Sequence, residues 1–323
     1  MKSQSIRIFI ILLHVLLLSS CVTINNKNLQ TQLNRSNCNQ QNTYHYTLND
    51  IPKPIHEIKI DTALSARLTF NSLNIANAIG ITDMLTDYIH KIKEYKITPT
   101  VENRLDLLEI YQKVNQRIDF ASLEISAVSS EIDCEEERAN QIAAFIKSKE
   151  KETETRLTVG AIVVGALGAV AAGVISLSGD GPDYIGIGTG LTEATLGVLL
   201  LLNERKVVFH HKRNILRDIW NDNKTSTICP PSIWYYLNYH NPNIPNHKSL
   251  RTQIIESWMS FEQVKQLSKK AKANSLDIYF GEGGKYTADQ LENRANMYDQ
   301  IESVIKLMKQ DLKDLVLEME KLR

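Results

Sequence analysis

The sequence predicts an all-α fold: an elongated helical bundle or coiled coil with an apolar helical hairpin and a small cap rich in proline and aromatic residues. Two observations predict it. Apolar residues recur at alternating spacings of four and three on both sides of the hairpin, which is the period of one helix face. No proline occurs between Pro99 and Pro182, so no residue of that type interrupts a helix over this stretch.

The composition sets the broad class of the protein. The chain has 323 residues, of which 43% are hydrophobic and 23% charged, and its formal net charge is zero. This length suffices for one large domain or two ordinary ones with a substantial core. Because the charges balance, the chain as a whole has no attraction for nucleic acid, and we expect no nucleic-acid partner.

Residues 1–20 are expected to be a signal peptide. Lys2 and Arg7 form a positive start, and an apolar run from Ile8 to Leu18 follows. That run is shorter than the roughly 20 residues that a transmembrane helix needs, but it has the size of a signal-peptide core. At its end the chain continues in the order Leu18-Ser19-Ser20-Cys21.

This order resembles the lipobox of bacterial lipoproteins, and the resemblance covers the first 21 residues. It implies cleavage before Cys21 and a diacylglyceryl group on the sulfur of Cys21, with no other cofactor expected. It also implies a lipid-anchored protein on the extracytoplasmic side of a membrane of the bacterial cell envelope. Two or more acyl chains anchor a protein stably, whereas one binds weakly. An ordinary secretory signal is the alternative interpretation.

Residues 21–60 are expected to form a tether, because they are rich in asparagine and glutamine and hold too little apolar area to offset their ordering entropy. Three cysteines follow Cys21, namely Cys38, Cys134 and Cys229, and none forms a CxxC pair. An exported chain can form disulfides. Three thiols allow at most one internal bridge, and the sequence does not indicate which.

Residues 61–222 are expected to hold long helices and the hairpin. Thr98 is predicted to cap a helix with Pro99 in its first turn, and residues 99–156 could form one helix of about 85 Å. A helix of this length predicts an elongated bundle or coiled coil. Its predicted buried stripe comprises Val114, Ile118, Ala121, Ile125, Val128 and Ile132, and after Glu135 it resumes at Ala139, Ile142 and Ile146.

The hairpin is predicted over residues 157–203. Two apolar runs, 159–177 and 184–202, are each long enough to cross a bilayer, and Gly179 to Asp183 between them are typical turn residues. Small residues spaced four apart let helix backbones approach closely, as in membrane helix pairs. They are Ala161, Gly165, Ala169 and Gly173 in the first arm, and Gly186, Gly190 and Ala194 in the second.

Two features argue against a permanent transmembrane hairpin. Glu193 lies near the middle of the second arm, where a charge costs about 3 kcal/mol on insertion scales. Arg205, Lys206 and the basic residues after them would also lie outside the cytoplasm, against the positive-inside tendency. We therefore favour a hairpin that is buried in the bundle or inserted conditionally, and a permanent span stays open.

The rest of the chain divides into a cap and a final helix. Residues 223–284 concentrate prolines and aromatic residues, which favours a compact cap packed on the bundle, with a short amphipathic helix at about 248–272. Placement of these aromatic residues at a membrane interface is the alternative interpretation. Residues 285–323 are predicted to form a coiled helix that starts at a capping box of Thr287 and Gln290. Its stripe could pack within the chain or against a second copy: Tyr298, Ile301, Ile305, Met308, Leu312, Leu315, Met319 and Leu322.

A search for catalytic chemistry leaves no strong motif. The segment FGEGGKYT lacks the first glycine of a phosphate-binding loop, and no serine or threonine follows Lys285 directly, so we interpret it as a glycine turn. His210 and His211 are adjacent and would point in different directions on a helix, which makes them poor metal ligands. We therefore expect no catalytic, cofactor-binding or metal site, and no enzyme.

Two functional hypotheses follow. The first is a cell-envelope lipoprotein that acts as a non-enzymatic helical scaffold or interaction module for a protein partner or a second copy. The second is a membrane-active protein whose hairpin inserts into a bilayer, as part of a pore, a secretion assembly or a transport conduit. The order of long helix, apolar hairpin and return helix resembles, in topology only, the α-helical pore-forming toxins of the cytolysin A kind.

Overall fold

The protein is mostly α-helical. A computed structural model describes residues 31, 35–39, 43–178, 203–264 and 276–322. The α-helices are α1 (Thr62–Ser65), α2 (Phe70–Ala78), α3 (Thr82–Ile97), α4 (Val101–Ser178), α5 (Ile215–Trp220), α6 (Pro231–Asn238), α7 (Leu250–Ser260) and α8 (Ala288–Glu320). Residues 276–280 are also helical, and short 3-10 helices span Leu48–Asp50 and Ile55–Glu57.

Two short strands correct the all-α prediction to a mostly-α fold. Strand β1 (Val207–His210) pairs with β2 (Gly283–Tyr286) in a two-stranded sheet. Valine and phenylalanine favour a pleated, half-buried strand, and the Phe209 ring packs edge-on against the Tyr286 ring at 5.8 Å. Gly283 has φ of 100°, which a side chain would disfavour. The predicted glycine turn is therefore the start of a strand.

The chain divides into two compact units. The first unit holds the described residues of Met1–Arg35, Ala139–His210 and Gly284–Glu292, and the second holds those of Ser36–Arg138, His211–Gly283 and Asn293–Arg323. In the first unit, Asn203 donates to the backbone oxygen of Glu150 at 2.9 Å, and Arg205 contacts Glu150 and Thr153. The end of the predicted hairpin at Asn203, and Arg205 after it, therefore lie against the part of α4 that precedes the hairpin.

Helices α4 and α8 run antiparallel within the second unit. Lys309 Nζ lies 2.6 Å from Ser126 Oγ, and the carboxylates of Asp133, Glu136 and Glu302 lie within 4.8 Å of one another, so residue numbers rise on α4 as they fall on α8. Every position of the two predicted stripes is buried, which confirms them. We call the part of these stripes that lies in the second unit, from Val114 to Ile132 and from Tyr298 to Leu322, the seam.

The start of α4 differs from the prediction. The helix begins at Val101, and the side chain of Thr100, not that of Thr98, accepts a hydrogen bond from the backbone of Asn103 at 3.1 Å. A residue before proline avoids the helical region, and Thr98 is extended, with φ −129° and ψ 86°. The predicted start of the last helix is confirmed, because Thr287 and Gln290 exchange hydrogen bonds of 3.0 and 3.2 Å.

A disulfide joins Cys38 to Cys134, with Cα atoms 5.4 Å apart. Cys229 is a free, fully buried thiol whose pKa burial raises. These contacts fix the pairing that the sequence left open. They also place the part of the predicted tether around Cys38 in the second unit, where Tyr44 donates its backbone N–H to the oxygen of Thr227 at 3.1 Å.

Candidate functional site

The second unit contains a cavity of about 600 Å³ that we call the aromatic cavity. Three segments line it: residues 51–57 ahead of α1, residues 222–224 after α5, and residues 234–252 from α6 to α7. Its volume lies within the roughly 300–1,000 Å³ of small-molecule sites. The lining combines proline, tyrosine and histidine rings with short polar side chains.

Helix α6 builds one wall of the aromatic cavity. Pro231 opens the helix at a position where proline is favoured, and Trp234 donates its indole N–H to the oxygen of Lys224 at 3.1 Å. The Tyr235 hydroxyl donates to Asn74 Oδ1 at 2.8 Å and accepts from the backbone of Ile55 at 3.2 Å. Burial raises the pKa of Tyr235 to about 12. This wall is therefore held by hydrogen bonds within the protein.

Tyr239 is at the centre of a cluster of rings in this cavity. Its centroid lies 5.5 Å from that of Tyr235, 5.9 Å from that of His56 and 6.1 Å from that of His247. These distances are those of favourable ring contacts. The ring of Tyr239 is therefore fixed by its neighbours, and only 9% of the residue is exposed.

Two buried polar atoms of lining residues have no partner among the described residues. Within the part of the chain that the structure describes, neither the Tyr239 hydroxyl nor His56 Nδ1 forms a hydrogen bond. Burial raises the pKa of Tyr239, so its hydroxyl stays neutral and can both donate and accept. Buried polar groups normally have a partner, so these two atoms are exceptions among the described residues.

The charged side chains that line the aromatic cavity compensate one another. Asp222 lies 2.6 Å from Arg251 and 3.5 Å from Lys224. The charged lining residues are two acids, Glu57 and Asp222, and two bases, Lys224 and Arg251. The cavity therefore presents no excess of either charge.

A second feature of the same unit is a groove of about 440 Å³ between α3 and the start of α4, which we call the apolar groove. Beside it, Val101, Leu105 and Leu108 are 77%, 60% and 56% exposed, and Ile97 is 83% exposed. Spacings of four and three put the first three on one face of α4. The groove itself is lined by Tyr88, Ile92, Tyr95, Lys96, Arg104, Leu107, Leu108 and Tyr111.

A buried polar network lies around Arg294, which is 0% exposed. Its guanidinium donates to the oxygen of Tyr279 at 3.0 Å, to the hydroxyl of Tyr298 at 2.6 Å and to Asn214 Oδ1 at 3.2 Å. Burial, and then the charge of Arg294, lower the pKa of His211 to about 2. A histidine held neutral in this way is no proton donor near neutral pH.

The acidic cluster of Asp133, Glu136 and Glu302 has the oxygen ligands that hard cations prefer. Lys306 already pairs with Glu302 at 2.6 Å. Burial, and then Asp299 and Glu302, raise the pKa of Glu136, which favours its protonated form. We assign no metal to this cluster.

The structure describes few of the residues predicted to be functional. Ala161 is half-buried on α4. Gly165, Ala169 and Gly173 also lie on α4, but their side-chain surroundings are outside the described residues. Cys21, Gly186, Gly190, Glu193 and Ala194 are outside the described residues too. Among the residues that are described, no helix has the length and hydropathy to cross a membrane.

Several features escaped sequence reasoning. The predicted helix at about 248–272 has its described end at Ser260, and Phe261 is 72% exposed. Arg213 pairs with the buried Glu131 at 2.7 Å, a contact that no sequence pattern indicates. The sequence pattern predicts cap packing in this region and no cavity, although the density of proline, tyrosine and histidine in 230–247 is a signal that could have indicated one.

No protein-family model, no curated protein and no solved structure matches this chain. The class of the protein therefore rests on its own structure: a mostly-α protein with one disulfide among its described residues, a ring-lined cavity and an exposed apolar groove.

Proposed function

We propose that this protein is a lipid-anchored lipoprotein of a bacterial cell envelope whose helical body is a non-enzymatic scaffold for a protein partner. The observation that carries the scaffold role is the apolar groove, with its row of exposed aliphatic side chains on α4. Contiguous exposed apolar surface marks interaction sites on soluble proteins. Its tyrosines and Arg104 are residue types enriched at protein interfaces.

The cysteines support the proposed compartment. Disulfides persist in oxidising compartments such as the bacterial periplasm, and Cys38 is bonded to Cys134. Cys229 is fully buried and therefore a poor target for modification. The chain has four cysteines, so Cys21 is the one left for a lipid.

Metabolic labelling with an alkyne fatty acid tests the anchor. We expect the wild type to carry the label and Cys21→Ser to lack it, because the other cysteines are bonded or buried. Cys229→Ser is the matched control and should label like the wild type. Equal labelling of the wild type and Cys21→Ser would refute the anchor and leave the scaffold role to its own test.

Photo-crosslinking in intact cells tests the scaffold. p-Benzoylphenylalanine is placed at Leu105 or, as a control, at Lys113, which is exposed on the same helix. We expect a discrete adduct from Leu105, identified by mass spectrometry, that disappears when Leu108→Lys introduces a charge into the groove. An adduct with a second copy would make the partner the protein itself. No adduct, or an equal one from Lys113, would contradict the proposal. The elongated shape of the bundle stays a prediction, to be tested by solution scattering.

A membrane-active hairpin is the second candidate. The observation that favours it is the exposure of Val159, Ile162 and Val163, which are 54%, 66% and 50% exposed on α4 at the start of the hairpin. Liposome flotation of protein lacking residues 1–21 tests it. Acid or Glu193→Leu should increase binding, because each removes the most costly charge of the second arm. If neither does, insertion is refuted.

A further inference from the structure

We propose that the aromatic cavity is a binding site for a neutral saccharide of one or two sugar rings. This inference goes beyond the scaffold and does not depend on it, because the aromatic cavity and the apolar groove share no lining residue. It rests on four properties of the cavity: its size, its charge, its unpartnered polar atoms and its flat walls.

Size and charge narrow the class of ligand. A cavity of about 600 Å³ takes a small molecule and excludes a folded partner. Asp222 is held by Arg251 and Lys224, and Arg251 also donates its Nε–H to the oxygen of Ile219 at 2.6 Å. A strongly charged ligand would be desolvated without gaining an uncompensated counter-charge. The cavity therefore favours a neutral ligand.

The polar atoms specify what the neutral ligand must offer. The Tyr239 hydroxyl is buried, neutral and unpartnered within the described residues. The ring nitrogen His56 Nδ1 is also buried and has no partner among those residues. Asn238 and Thr252 add short donors and acceptors to the lining. Hydroxyl groups can donate to and accept from such atoms, so a ligand dense in hydroxyls satisfies several at once.

The flat walls complete the match. The rings of Tyr239, Tyr235 and His56 lie together, and Pro52, Pro54 and Pro242 add apolar surface. A pyranose ring has a face of C–H groups that packs against such surfaces and an edge of hydroxyls that reaches polar atoms. A purely apolar ligand would leave the Tyr239 hydroxyl as unpartnered as it is in the free protein, whereas a ligand with hydroxyl groups can supply the missing hydrogen bond. The saccharide is the class that uses both kinds of surface.

Isothermal titration tests the proposal. The full chain is purified in a detergent without a sugar headgroup and titrated with N,N′-diacetylchitobiose and maltose, and with the neutral tripeptide N-acetyl-Gly-Pro-Pro amide as a competing class. We expect at least one disaccharide to bind at millimolar or lower concentration. The fluorescence of Trp234, which lines the cavity, gives an independent signal.

Two tyrosine variants locate the binding. Tyr239→Phe removes an oxygen without a partner among the described residues, so the protein should unfold at an unchanged temperature while saccharide affinity falls about tenfold. Tyr236→Phe is the matched control: its hydroxyl donates to Asp311 at 2.7 Å and it does not line the cavity. That variant should lose thermal stability and keep its affinity.

Three outcomes would overturn the inference. One is that neither disaccharide binds. Another is that the tripeptide binds and competes them away, which would make the cavity a peptide site. The third is that Tyr239→Phe and Tyr236→Phe bind the saccharide equally well, which would put the binding elsewhere. Failure of the fatty-acid labelling or of the crosslink would leave the saccharide site standing, since neither experiment concerns the cavity.

Discussion

Two regions of the second unit place their polar groups in opposite ways. One is the seam between α4 and α8, and the other is the segment of residues 211–240. Along the seam the buried positions are almost all aliphatic, and ion pairs such as Glu109 with Lys113 lie outside, both residues being at least 60% exposed. In the segment, polar atoms lie inside: Asp218 accepts from Ser226 at 2.8 Å and from Asn223 at 2.7 Å.

This difference indicates that the seam serves mainly the stability of the fold, whereas the segment with buried polar groups is suited to specific binding. Apolar burial stabilises a fold without directional demands, so the seam tolerates shape-conserving change. A buried polar network costs free energy unless each member is paired, so it fixes one arrangement of the chain. The aromatic cavity lies beside such a network, where its walls are held by hydrogen bonds, and this is what a specific binding site requires.

The largest effect is expected in the seam. Ile305 is 0% exposed, and Ile305→Ala should lower the free energy of unfolding by about 3–4 kcal/mol through lost burial and the cavity left behind. Leu307→Ala on the same helix is the matched control, because Leu307 is 41% exposed and should cost under about 1 kcal/mol. Urea denaturation measures both. Equal losses would show that the seam is not the apolar core of this unit.

The network around Arg294 should come next. Arg294→Met keeps most of the side-chain volume but leaves the oxygens of Tyr279 and Asn214 without this donor, so we expect a loss of about 3 kcal/mol. Arg294→Lys should recover only part of it, since an ammonium cannot reproduce the planar fork of the guanidinium. The same urea denaturation reports it, and a loss under about 1 kcal/mol would contradict a structural role.

A pH-dependent effect of intermediate size is expected from His211. Its folded pKa of about 2 lies far below the ordinary 6.5, so below pH 6.5 the unfolded chain binds a proton that the folded protein does not. The contribution of neutral His211 to the free energy of unfolding is therefore fully present above pH 6.5. It falls as the pH drops, by about 2 kcal/mol at pH 5. Burial raises the pKa of Asp218, which acts in the opposite direction, so the difference between wild type and His211→Gln is the quantity to measure.

Thermal unfolding of both proteins at pH 7.5 and pH 5 provides that measurement. The wild type should lose more stability on acidification than His211→Gln, whose side chain has no proton to gain. Parallel losses in the two proteins would show that His211 does not govern the acid response.

The same contrast explains how far the sequence predicted the fold. The seam follows from a local period, and each predicted position from Val114 to Ile132 and from Tyr298 to Leu322 is buried. The capping box at Thr287 is equally local, because its partner is three residues away. Local patterns of this kind can be read from one sequence.

The cavity and the strands depend on distant partners. The Tyr235 hydroxyl meets the backbone of Ile55, 180 positions away, and Cys38 meets Cys134 across 96 positions. Strand β1 is only four residues long and depends on pairing with β2. No spacing in the sequence encodes these pairings, so the sequence indicated an aromatic cap but neither its cavity nor its disulfide.

The smallest effect on stability is expected from the surface of α4. There an exposed ion pair can be compared with the buried polar groups. Glu109 and Lys113 lie 2.7 Å apart, one helix turn from each other, and both are exposed. Lys113→Gln keeps the helix propensity nearly constant and should lower the free energy of unfolding by less than about 0.5 kcal/mol, since an exposed ion pair is screened by solvent. Added salt should shrink this difference further, because it screens exposed charges.

Urea denaturation of the wild type and Lys113→Gln at low and high salt measures the change. A loss as large as that of Arg294→Met would show that the polar groups on this helix contribute as much to stability as those in the buried network, and the contrast between the two regions would fail.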